Sequence, residues 1–274
     1  MKSTLSPTVN LALQHREAQS PESSAGLAWA ELGLLLACVA ALVLAIGGPS
    51  MVQADHYHAF ADQRSLWGMP QTVDVLSNLP FALAGVVGLM VLRGSGHAIE
   101  PTNRWLAGLF FAGLIITSAC SSIYHLQPAN NTLALDRVGM VVAFAGLLGL
   151  AVADRVSTRA GRKLALGILI AGPLAVITWA QTGNLLPWAV LQGGGILLLL
   201  ALLACKPIAG ALGIPVGAVL AWYVLAKLFE MGDHQVFALT NGWVSGHSLK
   251  HVLAALAAWP VIRIMHNASA SDKT

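Results

Sequence analysis

Eight apolar stretches of about 20 residues each run through this chain, at approximately 27–48, 72–93, 104–125, 133–154, 163–181, 187–205, 208–229 and 245–266. A bilayer's hydrocarbon core is about 30 Å thick, and a helix crosses it in roughly 20 residues. Backbone N–H and C=O groups cannot stay unpaired in lipid, so each stretch reads as a membrane-spanning helix. The connections are short, as between antiparallel neighbours of a bundle. The expected class is therefore an all-α, polytopic membrane helix bundle. Composition agrees: 56% of the 274 residues are hydrophobic and 10% are charged, with a mean hydropathy of +0.70. Soluble domains carry about 25% charged residues, so a cytosolic enzyme, a disordered chain and a nucleic-acid binder are all excluded. The net charge of +3 lies in scattered pairs rather than a basic stripe.

Charge bias sets an expected orientation. With eight spans and the N-terminus inside, the inner segments collect Lys2, Arg16, Arg93, Arg104, Arg155, Arg159, Arg162, Lys163, Lys206, Arg263 and Lys273, and the outer loops hold only Arg64. Arg137, Lys227 and Lys250 fall within or beside spans, near their outer ends. Both termini are thus expected to be cytoplasmic. Residues 1–26 read as a polar N-terminal tail and 267–274 as a C-terminal tail. The first span, 27–48, is an additional transmembrane helix or a signal sequence with Val52-Gln53-Ala54 as a cleavage-like site, although its apolar stretch exceeds the usual length. Pro80, Pro173, Pro215 and Pro260 lie inside spans as candidate kinks. Cys38, Cys120 and Cys205 lack CxxC or disulfide spacing and read as small core residues. Gly193-Gly194-Gly195 reads as a close-packing patch.

Ionisable groups in a membrane are costly, at about 2.5–3.5 kcal/mol each on insertion scales, and mark function by default. Here they share one depth, the outer part of the bilayer. Asp74, Ser77 and Asn78 open one descending helix, and Ser118, Ser121, Ser122, Tyr124 and His125 close an ascending one. Asp136 and Arg137 open the next. Lys227 and Glu230 end another, followed by Asp233 and His234, and Ser245, His247, Lys250 and His251 open the last. His247 and His251, four apart, share a helix face, as do Ser121 and His125. Two such histidines with a third from a neighbouring helix make three corners of a tetrahedron, the shape of a catalytic zinc site with water in the fourth position. Asp136, 11 residues after His125 across a short turn, is a supporting partner, a base or a further ligand. His56 and His58 read as a solvated loop pair, and His15, His97 and His266 as incidental.

The set Asp74-Val75-Leu76-Ser77-Asn78, Ser121-Ser122-Ile123-Tyr124-His125, Asp136-Arg137 and Gly246-His247-Ser248-Leu249-Lys250-His251 resembles the alkaline ceramidase family, within the CREST group of seven-helix membrane hydrolases. The similarity covers about residues 55–266, making the first span an addition to a seven-helix core. It implies a zinc ion held by His125, His247 and His251, with Ser121 and Asp136 as catalytic residues. It also implies cleavage of the amide bond of ceramides, drawn from the bilayer, to a sphingoid base and a fatty acid. Eukaryotic members carry a calcium site of acidic residues at the start of the first core helix. Here that region reads Asp62-Gln63-Arg64-Ser65-Leu66-Trp67, with Gln71 where a glutamate is expected, so calcium is not carried over.

On this reading Asp136 takes a proton from the attacking water and passes it to the leaving nitrogen, and Ser121 donates to the developing oxyanion. Glu230, Lys227, Lys250, Asp74 and Asn78 are candidates for supporting or head-group contacts, or for structural pairing. The alternatives are a zinc-containing membrane receptor, a transporter, or a hydrolase of another lipid. A transporter is expected to place its site near the midplane and often to show internal repeats; neither is visible here.

Overall fold

The computed structural model describes residues 21–96 and 98–271 and is helical, with no strand among the described residues. The helices are α1 (Pro21–Gly47), α2 (Thr72–Leu76), α3 (Leu79–Gly94), α4 (Pro101–Leu126), α5 (Asn130–Arg155), α6 (Thr158–Thr182), α7 (Leu186–Leu203), α8 (Val216–Met231), α9 (Asp233–Leu239), α10 (Gly246–Leu256) and α11 (Trp259–Ser271). Among the described residues, seven stretches are long and apolar enough to cross a membrane: Trp29–Gly47 of α1, Thr72–Gly94 across α2 and α3, the whole of α4, α5, α6 and α7, and Gly246–Ala268 across α10 and α11. The protein is a polytopic membrane helix bundle. His15 and His97 lie outside the described residues.

Two of the expected spans are broken, each just before a proline. The first breaks at Ser77 and Asn78, with Pro80 in the first turn of α3, and the last breaks at Ala257 and Ala258, ahead of Pro260 in α11. Pro173 instead sits inside an uninterrupted α6. The segment expected at 208–229 differs more. Helix begins only at Val216 and runs 16 residues, about 24 Å at 1.5 Å per residue. The cause is Asp154, near the end of α5. Its carboxylate accepts from Gly213 N at 2.7 Å and Ile214 N at 3.1 Å, and its carbonyl from Ile208 N at 2.9 Å. Arg155, paired with Asp154 at 2.6 Å, donates to Ile214 O at 2.9 Å. These bonds hold the 204–215 connection as a folded loop, with Gly210 and Gly213 at φ +74° and +76°, where a Cβ would be strained.

The core lies on α4, α5 and α6, whose facing glycines let backbones approach closely. A Cβ at Gly146 of α5 would lie 2.2 Å from Phe110 N of α4, and one at Gly161 of α6 would lie 2.4 Å from Gly149 O of α5. Gly146→Val is therefore expected to cost about 3 kcal/mol or more, because rigid backbone rather than a flexible side chain must yield. The thermal midpoint in detergent should fall accordingly. Gly193 and Gly194 of α7 meet nothing within 4 Å, and only Gly195 touches a neighbour, Leu148. The triplet is therefore largely open surface rather than a packing patch. Gly193→Ala is the matched control and should be neutral or stabilising by up to about 1 kcal/mol. Cys38 and Cys205 are likewise exposed, Cys120 is half-buried, and all three are free thiols. They are apolar surface more than core, because a bundle in lipid has no reason to hide them.

Helix α1 stands against α7 at the edge of the bundle, with most of its described side chains exposed. Glu31 accepts a hydrogen bond from Ser157 Oγ, 2.5 Å away at the start of α6. The segment 48–71 between α1 and α2 folds across one end of the bundle, which is also where the polar residues gather.

Candidate metal centre

Breaking a membrane helix frees carbonyls that something must satisfy. At the α2–α3 break this falls to the serines of α4: Ser118 Oγ donates to Asn78 O at 2.8 Å and Ser122 Oγ to Val75 O at 3.4 Å. The third serine of that run, Ser121, is buried and repairs no carbonyl of the break. One turn beyond Ser121, in the last turn of α4, is His125.

The partner strip of histidines is set by the start of α10. Ser245 caps it, accepting from Ser248 N at 2.9 Å. Asp74 Oδ1 accepts from the hydroxyls of Ser245 and Ser248, which fixes α2 to this helix start. Asp233, opening α9, accepts from His247 N at 2.8 Å on one oxygen and from Ala61 N at 2.9 Å on the other. One carboxylate thus ties the histidine helix to the covering segment. Gly246 is required at this corner: a Cβ there would lie 2.2 Å from Phe229 O.

The result is a convergence of three imidazoles. Ligand nitrogens of His125, His247 and His251 lie within 4.8 Å of one another, and all three residues are buried. His247 Nε2 and His125 Nε2 are 3.2 Å apart. The remaining ring of the cluster is oriented from behind. Ser77 Oγ spends its single proton on Asp74 O at 2.8 Å, so its 2.7 Å contact with His251 Nδ1 must be accepted from Nδ1–H. That assigns the proton of His251 to Nδ1 and leaves the Nε2 lone pair free, as in metal sites where an outer hydrogen bond fixes the tautomer. Ser77→Ala is expected to weaken metal affinity by about 10–100-fold, measurable by competition with a chromogenic chelator. Phe60, from the covering segment, closes the cluster, with ring centroids 4.8 Å from His125 and 4.4 Å from His247.

Asp136 stands beside this group rather than in it. It is half-buried, and its Oδ1 is enclosed with no hydrogen-bond partner, a free acceptor. Arg137 is buried facing elsewhere. It donates to Gln53 Oε1 at 2.6 Å, and its guanidinium carbon lies 4.0 Å from the Trp179 ring centroid and 5.6 Å from that of Tyr57. It anchors the covering segment to α5 and α6. On the far side of His247, Lys250 Nζ lies 3.1 Å from Nε2 and 3.0 Å from Glu230 Oε1, while Glu230 Oε2 also receives Lys227.

The remaining polar residues of this end are structural. His58 Nε2–H donates to Asn130 Oδ1 at 3.0 Å while Nδ1 accepts from Tyr124 OH at 2.8 Å. His58 is therefore a bridge across the α4–α5 turn rather than a freely solvated side chain; His56 is exposed. His234 donates to Ala59 O at 3.0 Å, and His266 is exposed on α11. Asp62 is engaged by Arg64, whose backbone N and side chain donate to it at 2.6–3.1 Å. Burial by itself raises an acid, but these bonds and the guanidinium charge hold the Asp62 carboxyl below its ordinary value.

Phe60, Asp233 and the bonding role of Ser77 were not legible as site features. Phe60 carries no local signal. Asp233 and Ser77 are marked only as polar residues at the right depth.

Fold and cluster together define a class: a membrane helix bundle with a buried three-histidine group able to hold a metal ion. Compared with known families and with curated proteins, the chain matches no family model and no curated protein.

Proposed function

We propose that this protein is an intramembrane, zinc-dependent hydrolase that cleaves the amide bond of ceramide-like lipids to a sphingoid base and a fatty acid. The observation that carries this reading is the set of three buried imidazoles whose nitrogens converge within 4.8 Å, with no acidic fourth member among the described residues. Neutral imidazoles suit zinc, and three protein ligands with an open position are the arrangement of a catalytic rather than a structural site. The ring of His251, held at Nδ1 by Ser77, presents its other nitrogen to the same ion.

A zinc ion bound here supplies polarisation of a carbonyl and acidification of a water toward a pKa of about 7. The chain's own residues do the rest. Asp136 Oδ1, buried and unpartnered, accepts the proton of the attacking water and returns it to the amide nitrogen as the C–N bond breaks. Ser121, one turn before His125 on α4, donates to the carbonyl oxygen as negative charge develops there and Asp136 becomes protonated. Phe60 and the covering segment limit water at the cluster.

The placement of the cluster at one end of the bundle suits a lipid whose chains stay in the bilayer while its amide reaches the site. With the short α8 counted as an eighth pass, charge bias favours an extracytoplasmic position for that end and cytoplasmic termini. A receptor in which the metal only joins helices is the second reading. Asp136 standing outside the ligand group argues against it, because a structural zinc uses four protein ligands.

The test is metal analysis of the detergent-purified protein together with a panel of lipid amides and a His125→Ala control. Stoichiometric zinc and amide cleavage in the parent, both lost in the variant, are expected. Zinc-free protein that cleaves the amides would overturn the reading.

A further inference from the structure

The polar group on α8 and α10 is not used by the chemistry above. Lys227 and Lys250 each hold one oxygen of Glu230, so two ammonium groups share a single carboxylate and one positive charge is left over. Unlike the histidines, these side chains are partly exposed, 43% for Lys227, 25% for Glu230 and 21% for Lys250. They therefore sit at the mouth of the site rather than in its floor. Lys250 reaches inward as far as His247 Nε2, 3.1 Å away, so the mouth and the cluster are contiguous.

An imidazole nitrogen has one lone pair. Once His247 Nε2 is committed to a metal ion, it no longer accepts from Lys250, and the ammonium keeps Glu230 alone with two N–H donors to spare. A cation beside a divalent site is repelled unless an anion lies between them. A second feature runs up to the same place. An open apolar groove of about 510 Å³ follows α8, lined by Gly217, Leu220, Ala221, Val224, Leu225 and Leu228. Its last residue is adjacent in sequence to Lys227. An acyl chain fits such a groove, and the charge at its end is complementary to an acid.

We infer that Lys250 and Lys227, braced by Glu230, anchor an acidic group carried close to the amide of the substrate, so that the site prefers N-acyl lipids bearing a carboxylate or phosphate over neutral ones. This rests on the amide-hydrolase reading and moves its preferred substrates from neutral ceramide toward acidic N-acyl lipids. A head bearing only hydroxyls has nothing to set against the extra charge.

The test is equilibrium binding to the full-length, zinc-loaded protein by displacement of a fluorescent acyl lipid, with hydrolysis followed in parallel. The matched probes are N-palmitoylglycine against N-palmitoylethanolamine, and ceramide 1-phosphate against ceramide. The acidic member of at least one pair should bind about tenfold more tightly, the scale of one charge-assisted hydrogen bond. The pair that discriminates identifies carboxylate or phosphate. Lys250→Met should abolish the preference at unchanged zinc content, and Lys250→Arg should keep most of it. Lys227→Met provides the same reading should Lys250→Met fail to fold. Equal binding within both pairs, or a preference that survives both methionine variants, overturns the proposal. Preference without any cleavage sinks the hydrolase reading and leaves the anion anchor standing.

Discussion

His247→Ala protein is expected to purify without bound zinc and to lose lipid-amide turnover by about a thousandfold or more. The cavity left on α10 replaces one of three nitrogens that lie within 4.8 Å of one another, and the remaining pair, His125 and His251, cannot define a tetrahedral site. Polarisation by a metal is worth several kcal/mol of transition-state stabilisation, and each 1.36 kcal/mol is a factor of ten in rate. The fold should survive, because α10 is placed by Ser245, Ser248 and the backbone N–H of residue 247, which still reaches Asp233. Metal content by mass spectrometry and the rate on a lipid amide measure the two losses together. Retained zinc with full turnover would remove the basis for the site.

Asp136→Asn is expected to separate what the first variant joins. Zinc content should be unchanged, since Asp136 lies outside the ligand group, while turnover falls by roughly 10²–10⁴, the contribution of a positioned acid–base group. Asparagine keeps the volume, so the packing between α4 and α5 is preserved. The change removes only the capacity of Oδ1 to take a proton. If zinc were lost along with activity, Asp136 would be a ligand, and the receptor reading would gain at the expense of hydrolysis.

The legible part of this protein is unequal from element to element. Stretches 104–125 and 133–154 appear as α4 and α5 within a few residues, because an apolar run of bilayer length leaves a backbone one way to pair its groups. The 208–229 stretch is also strongly apolar but begins as helix eight residues late. The reason is a tertiary one: Asp154, 59 residues before Gly213, offers that loop acceptors that a helix would otherwise provide. The serines of α4 illustrate the same limit. Ser118, Ser121 and Ser122 look alike in sequence, yet Ser118 and Ser122 repair the α2–α3 break and Ser121 does not.

What the amino-acid order determined alone is the all-helical bundle, the shared depth of the polar residues, and the common face of His247 and His251. These follow from bilayer thickness and from the 3.6-residue period, which are local rules. What only the tertiary structure decided is that His125 meets that pair, that Ser77 leaves the Nε2 of His251 free, and that Phe60 closes the group. Each depends on which helices cross and at what height, and a chain's spacing carries no record of a contact made across 65 to 174 residues.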